Sequence, residues 1–175
     1  NCVSTAAAFS SNYQAGGIAG WTNLGVFENN VAYGAVTAPG GGAAGICSMI
    51  DNSGSASFIG NVSAIPYAKG GNNRTSGILG WKNGSGCAIE EDDQNLSSEA
   101  TQYFVGGNLT PAADIKFDDN NDGINGIVTT AADLKTAATY TNVGFSTDVW
   151  NLVDGQYPTL KTQAAIENAI YTAQA

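Results

Sequence analysis

The sequence predicts a mainly β fold: a short, β-helix-like β-solenoid of three to four coils of about thirty residues, closed by a small α/β C-terminal cap. Three observations carry this. A Gly-Ile pair recurs in Ala15-Gly16-Gly17-Ile18-Ala19-Gly20-Trp21, Ala43-Ala44-Gly45-Ile46-Cys47-Ser48 and Thr75-Ser76-Gly77-Ile78-Leu79-Gly80-Trp81, at spacings of 28 and 32 residues. A second mark, Asn followed by a small or apolar residue, recurs at Asn1-Cys2, Asn30-Val31, Asn61-Val62 and Asn95-Leu96, at spacings of 29, 31 and 34. Between the marks stand short apolar runs bounded by Gly, Asn and Ser, with no sustained helical periodicity. A unit of this length cannot bury an apolar face alone. Its neighbours must therefore stack on it, with equivalent residues about 4.8 Å apart.

The elements follow in order along the chain. Val26-Phe27, Phe58-Ile59 and Ala88-Ile89 read as strands entering the Asn mark, and Val31-Ala32-Tyr33 and Val62-Ser63-Ala64-Ile65 as strands leaving it. Residues 1–100 are thus the repeats, and 101–175 an irregular last coil plus cap, continuous with them as one domain. Tyr103 to Leu109 belongs to the last coil. Thr130, with Asp133 three residues on, reads as the N-cap of a short helix from Ala131 to Ala138, expected to lie across the last coil as an end piece. A second helix is expected from Thr162 to Ala175, where Ile166, Ala169, Ile170 and Ala173 form one apolar stripe.

Composition narrows the function classes. With 175 residues, 43% of them hydrophobic, the chain can build a real core. Its 23 glycines suit a chain that turns several times per coil, many such turns needing positive φ. Fifteen acidic residues against 6 basic ones give a formal charge of −9, which argues against nucleic acid or an anionic membrane as partner. No run of 18 apolar residues suggests membrane insertion. The opening at Asn1-Cys2, in mid-repeat, reads as a mature chain or a piece of a longer array, with an uncapped first coil available for interaction. Cys2, Cys47 and Cys87 fall at different places in the repeat and their number is odd. Buried free thiols are the default, and one disulfide of unassigned pairing is the alternative for an exported protein.

Candidate chemistry is sparse. Asp118, Asn120 and Asp122, with Gly123 after them, stand at alternating positions of an oxygen-rich loop that would suit calcium, although Thr129 occupies the position where an EF-hand has its bidentate Glu. A plain polar turn is the competing reading. Glu90-Glu91-Asp92-Asp93 reads as a solvated, loop-like acidic run. The absence of His removes Ser-His-Asp and Cys-His nucleophilic catalysis. A polysaccharide lyase needs no His, but Arg74 is the only arginine, and Lys69 and Lys82 are isolated in sequence. Trp21 and Trp81 occupy the same repeat position, as sugar-stacking rings or as stacked core residues.

Gly17-Ile18-Ala19-Gly20 and Gly77-Ile78-Leu79-Gly80, each followed by a turn and an Asn-led strand, resemble the GLUG repeats of bacterial and archaeal surface proteins of adhesin-like type. The stretch from Thr130 to Leu160, with Tyr140-Thr141-Asn142-Val143-Gly144-Phe145, Val149-Trp150-Asn151-Leu152 and Gly155-Gln156-Tyr157-Pro158, is similar to the segment that commonly ends such arrays. The resemblance implies an extracellular, repeat-built, non-catalytic cell-surface structure. The expectation is thus a structural or adhesion module that assembles with other subunits or neighbouring domains, into a filament or as part of a longer adhesin. A carbohydrate-binding module using Trp21 and Trp81, with calcium, is the alternative, and a lyase a distant third.

Overall fold

A computed structural model of the chain describes residues 1–71, 74–115 and 123–161. The chain winds as a β-solenoid of about four turns, mainly through parallel strands. Each full coil visits four sheets in turn. The first sheet stacks Val3–Ser4, Val31–Ala32, Val62–Ser63, Leu96–Ser98 and Ile127–Thr129. The second stacks Ala8–Phe9, Val36–Ala38, Tyr67–Gly70 and Gln102–Val105, and ends in an antiparallel strand, Asn108–Thr110. The third stacks Ala15–Gly16, Ala43–Ala44 and Thr75–Ser76. In the fourth, the long central strand Cys47–Ile59 pairs with Thr22–Glu28 on one side and with Leu79–Lys82 and Ala88–Asp93 on the other.

The Asn mark is a hydrogen-bonded ladder at the corner between the fourth and first sheets. Asn61 Oδ1 accepts from the backbone N–H of Asn30 at 3.2 Å and from its Nδ2 at 2.8 Å. Asn95 Oδ1 accepts from the same two groups of Asn61, at 3.0 and 2.9 Å. Asn61 Nδ2 also donates to the Phe27 carbonyl at 2.8 Å, and Asn95 Nδ2 to that of Phe58 at 2.7 Å. The preceding corner residues Asn29, Gly60 and Gln94 all adopt the left-handed conformation, with φ of 51°, 60° and 53°. That conformation turns the chain so sharply that the next amide points inward and along the axis.

The Gly-Ile mark has a different cause from the one its composition suggests. None of Gly17, Gly45 and Gly77 has a positive φ. They stack where neighbouring backbones nearly touch: a Cβ on Gly17 would run into the Gly45 carbonyl, and one on Gly45 into the Gly77 carbonyl and the Ser63 hydroxyl. The following isoleucines fill the interior, Ile46 and Ile78 fully buried and Ile18 partly. Ser48, which replaces the second glycine of the motif, is buried and donates its hydroxyl to Gln14 Oε1 at 3.0 Å. Phe27 and Phe58 stack nearly parallel in the core, centroids 5.0 Å apart.

The cap lies along the flank of the solenoid, whereas the sequence suggested a lid over the last coil. Val31, Val62 and Leu96 point outward from the first sheet and pack against Leu134, Tyr140, Phe145 and Trp150. Hydrogen bonds tie the cap back to early coils: Trp150 Nε1 donates to Asn1 Oδ1 at 2.9 Å, Asn29 Nδ2 to the Gly144 carbonyl at 2.9 Å, and the Tyr33 hydroxyl to the Pro158 carbonyl at 2.9 Å. Ile127, one rung past Leu96, is exposed. The reason is apolar demand, since the outward valine column needs cover more than the chain's end does.

The single expected helix over 131–138 is instead a 3-10 turn, Asp133–Lys135, followed by a six-residue helix, Ala137–Asn142, broken by extended Thr136. Thr130 does meet Asp133 reciprocally, its hydroxyl donating to Asp133 Oδ2 at 2.6 Å and accepting from the Asp133 N–H at 3.0 Å. A short hairpin of Trp150–Asn151 and Thr159–Leu160 completes the cap. The helix expected from Thr162 lies outside the described residues, as do Asp118, Asn120 and Asp122.

Two stability predictions follow from these contacts. Asn61→Ala strips four hydrogen bonds from a buried corner and should lower unfolding free energy by about 2–4 kcal/mol in urea titration. Trp150→Ala should cost about 3–5 kcal/mol by the same measurement; a loss below 1 kcal/mol would mean that the flank packing contributes little to the fold.

Candidate functional site

The two ends of the solenoid differ in chemistry. At the first end, Val3–Ser4, Ala8–Phe9, Ala15–Gly16 and Thr22–Glu28 are each bonded to a strand on one side only. Among the described residues nothing pairs with their other backbone edges, which can accept a further chain. This same coil exposes large apolar side chains: Phe9 by 72%, Tyr13 by 75%, Trp21 by 63%, Leu24 by 75% and Val26 by 66%. The next coil sets polar groups in those registers, with Thr37 beside Phe9, Ser55 beside Leu24 and Ser57 beside Val26. Five large apolar side chains thus gather on this unpaired rim, while Leu109, Ile127 and Val128 stand exposed on edge strands of the other end. Behind Trp21 a hollow of about 370 Å³ opens, lined by Tyr13, Gln14, Ala19 and Gly20. Gln14 Oε1 accepts the Gly42 N–H at 2.7 Å and so fastens this rim to the second coil.

At the other end the outer strand of the fourth sheet is Ala88–Asp93, and Glu90, Glu91, Asp92 and Asp93 are exposed. The sequence suggested a loop here. The run is a strand because it pairs with Ser55–Ile59, with a bulge between Ile89 and Glu91. Asp92 follows Phe27 and Phe58 in one column, and its Oδ1 accepts from Asn95 Nδ2 at 2.8 Å. A carboxylate thus takes the place of a third stacked ring where the column opens to water.

Trp21 and Trp81 share a column, since Trp81 pairs with Met49 and Thr22 with Ile50, but their surroundings are opposite. Trp81 is 6% exposed, and the Arg74 guanidinium lies 3.4 Å from its ring centroid. The two rings therefore do not form an open row. Arg74, Lys69 and Lys82, the cations considered for uronate cleavage, lie on or beside different sheets.

The groups with displaced acidity are buried or, for Tyr33, half-buried. Burial pushes the Cys47 thiol up to about 12, against a weaker opposing bond to the Met49 carbonyl, and pushes the Tyr103 phenol up to about 12. Tyr33 and Tyr140 are raised further, first by burial and then by neighbouring phenols. Tyr140, kept neutral in this way, donates to the Leu134 carbonyl at 2.6 Å. All three cysteines are free, Cys2 exposed and Cys47 and Cys87 buried. Among the described residues no group of three or more His, Cys, Asp or Glu is placed to hold a metal ion. No described helix is long and apolar enough to cross a membrane.

Sequence reasoning found the corners and the glycine column but missed the rim residues Phe9, Leu24 and Val26. Ala8–Phe9 is too short for period-two alternation to signal which side chain faces outward, and in Thr22–Glu28 four consecutive residues are exposed, so burial there does not alternate.

A scan against protein-family models, a search of curated proteins and a search of solved structures each returned no match.

Thiol accessibility offers a check on this arrangement. Burial both shields Cys47 and holds it as the thiol at pH 8, so a disulfide exchange reagent should titrate Cys2 promptly and Cys47 only after denaturation. Prompt reaction of all three would contradict the burial of the second and third.

Proposed function

We propose that this chain is a non-catalytic structural and adhesive module of a cell surface or extracellular assembly, of the kind its GLUG-like motifs suggest. Its first coil is the joining surface. One observation carries the reading: the unpaired strand edges of the first coil lie beside the exposed side chains of Phe9, Trp21, Leu24 and Val26. Exposed apolar patches on strand edges are costly in isolation and are normally covered by a partner strand.

The occupant proposed is a second copy, meeting first end to first end. Such a contact covers both apolar rims and lets the seven-residue strand Thr22–Glu28 pair with its own equivalent. A head-to-tail filament would instead set Leu24 and Val26 against the strand bearing Glu90 to Asp93, and desolvating those carboxylates opposes it. The contact therefore closes as a pair, and longer assemblies require further domains.

Light scattering coupled to size exclusion over a concentration series tests this. The unaltered chain should approach twice its 17.8 kDa mass, while Leu24→Lys and Val26→Lys should stay at the single-chain mass with unchanged melting temperature. A single-chain mass for the unaltered protein at every concentration removes the joining role.

A further inference from the structure

The second sheet carries a surface unlike the rest of the molecule. In its strands Val36, Ala68 and Tyr103 point into the core, which turns their neighbours outward. The register then builds one outward column, Phe9, Thr37, Lys69 and Phe104, from the first coil to the fourth. Tyr67 and Gln102 pair directly beside it. Thr37, Tyr67, Lys69, Gln102 and Phe104 line a shallow groove of about 440 Å³. The rings of Tyr67 and Phe104 meet edge to face at 85°, centroids 6.4 Å apart.

Charge singles out this groove. The strands of this sheet, like those of the first and third, contain no Asp or Glu, and Lys69 is the one charged side chain in the strands of all three. Lys69 is exposed, and no ion pair to a described carboxylate holds it. Arg74 and Lys135, by comparison, stand over the rings of Trp81 and Tyr157. A chain of formal charge −9 thus presents one lysine, flanked by rings, an amide and a hydroxyl, on an acid-free face.

We infer that this groove binds a carboxylated polysaccharide, laid along the solenoid axis. Rungs recur at about 4.8 Å, close to the length of one pyranose in an extended chain, so successive sugars meet successive coils. The rings of Phe104 and Tyr67 offer apolar faces to the C–H sides of the sugars. Lys69 meets the uronate carboxylate, and Gln102 and Thr37 meet hydroxyls. Short peptides would gain little here, because the outward columns belong to the interior of a paired sheet and leave no backbone edge to bind. The inference rests on the adhesive reading above and gives it a ligand class, at a groove that adjoins the joining rim through Phe9 but has none of the rim residues in its lining.

Titration calorimetry with oligogalacturonate, and in parallel with its fully methyl-esterified form, tests the inference. The carboxylated probe should bind about tenfold more tightly than the ester, and weaken with added salt. Lys69→Gln should erase that preference, and Phe104→Ala and Tyr67→Ala should each weaken both probes about fivefold to tenfold. Circular dichroism and melting temperature confirm that each variant is folded, and Lys69→Gln, at an exposed site, keeps the test decisive if an aromatic variant is not. Leu24→Lys, on the rim, should bind the probe like the unaltered chain, so loss of pairing and loss of glycan binding are read separately. No heat from either probe, equal affinity for both, or a carboxylate preference that survives Lys69→Gln overturns the inference.

Discussion

The hydrogen bonds that pass from Asn30 to Asn61 to Asn95 tie the second, third and fourth coils together, and the rest of the solenoid depends on that corner. A buried amide is tolerated only when its donors and acceptor are matched, and here each side chain spends them along the axis. Aspartate would lack the donors, and glutamine is one methylene too long for a rigid corner. Because Asn29, Gly60 and Gln94 share one left-handed turn, the three amides arrive at the same height within their coils. The strands on either side then fall into parallel register without further instruction, and Phe27 is carried onto Phe58 as a consequence.

A corner that holds neighbouring backbones at strand spacing leaves little room inside. Gly17, Gly45 and Gly77 answer that constraint where the third and fourth sheets meet, and alanine fills much of the third sheet at Ala15, Ala43 and Ala44. The interior is filled by Ile46, Ile50, Phe58, Ile65, Ile78, Leu79 and Tyr103, and a second cluster forms outside it. Val31, Val62 and Leu96 turn their side chains outward, where Leu134, Tyr140, Phe145 and Trp150 form a second core against them. The first sheet is therefore buried on both faces. The cap acts as a buttress joining early coils to late ones, since Trp150 and Gly144 bond to Asn1 and Asn29 at the far end of the stack.

Such a molecule presents several distinct surfaces. The groups with strongly displaced acidity, Tyr33, Cys47, Tyr103 and Tyr140, are displaced chiefly by burial. What faces water is a lattice of side chains at fixed rung spacing: an apolar rim, an acidic outer strand and an acid-free face with one lysine among rings. Asp92 of the outer strand is tied to the ladder through Asn95 Nδ2.

By itself the sequence determined the period, the stacking and the β class. Every coil meets the same neighbours at its corner and at its glycine column, so physical demand repeats there and leaves a repeated residue. Even so, the periodicity did not reveal that the asparagines bond to one another, or that Gly45 serves close approach and not a turn. Tertiary structure alone decided what differs between coils. Trp21 and Trp81 have the same local sequence, yet one stands on an open rim and the other lies under Arg74, because burial depends on which chain lies alongside. The flank position of the cap and the outward column through Lys69 were likewise invisible, since strands of two to four residues are too short to declare which face their side chains take.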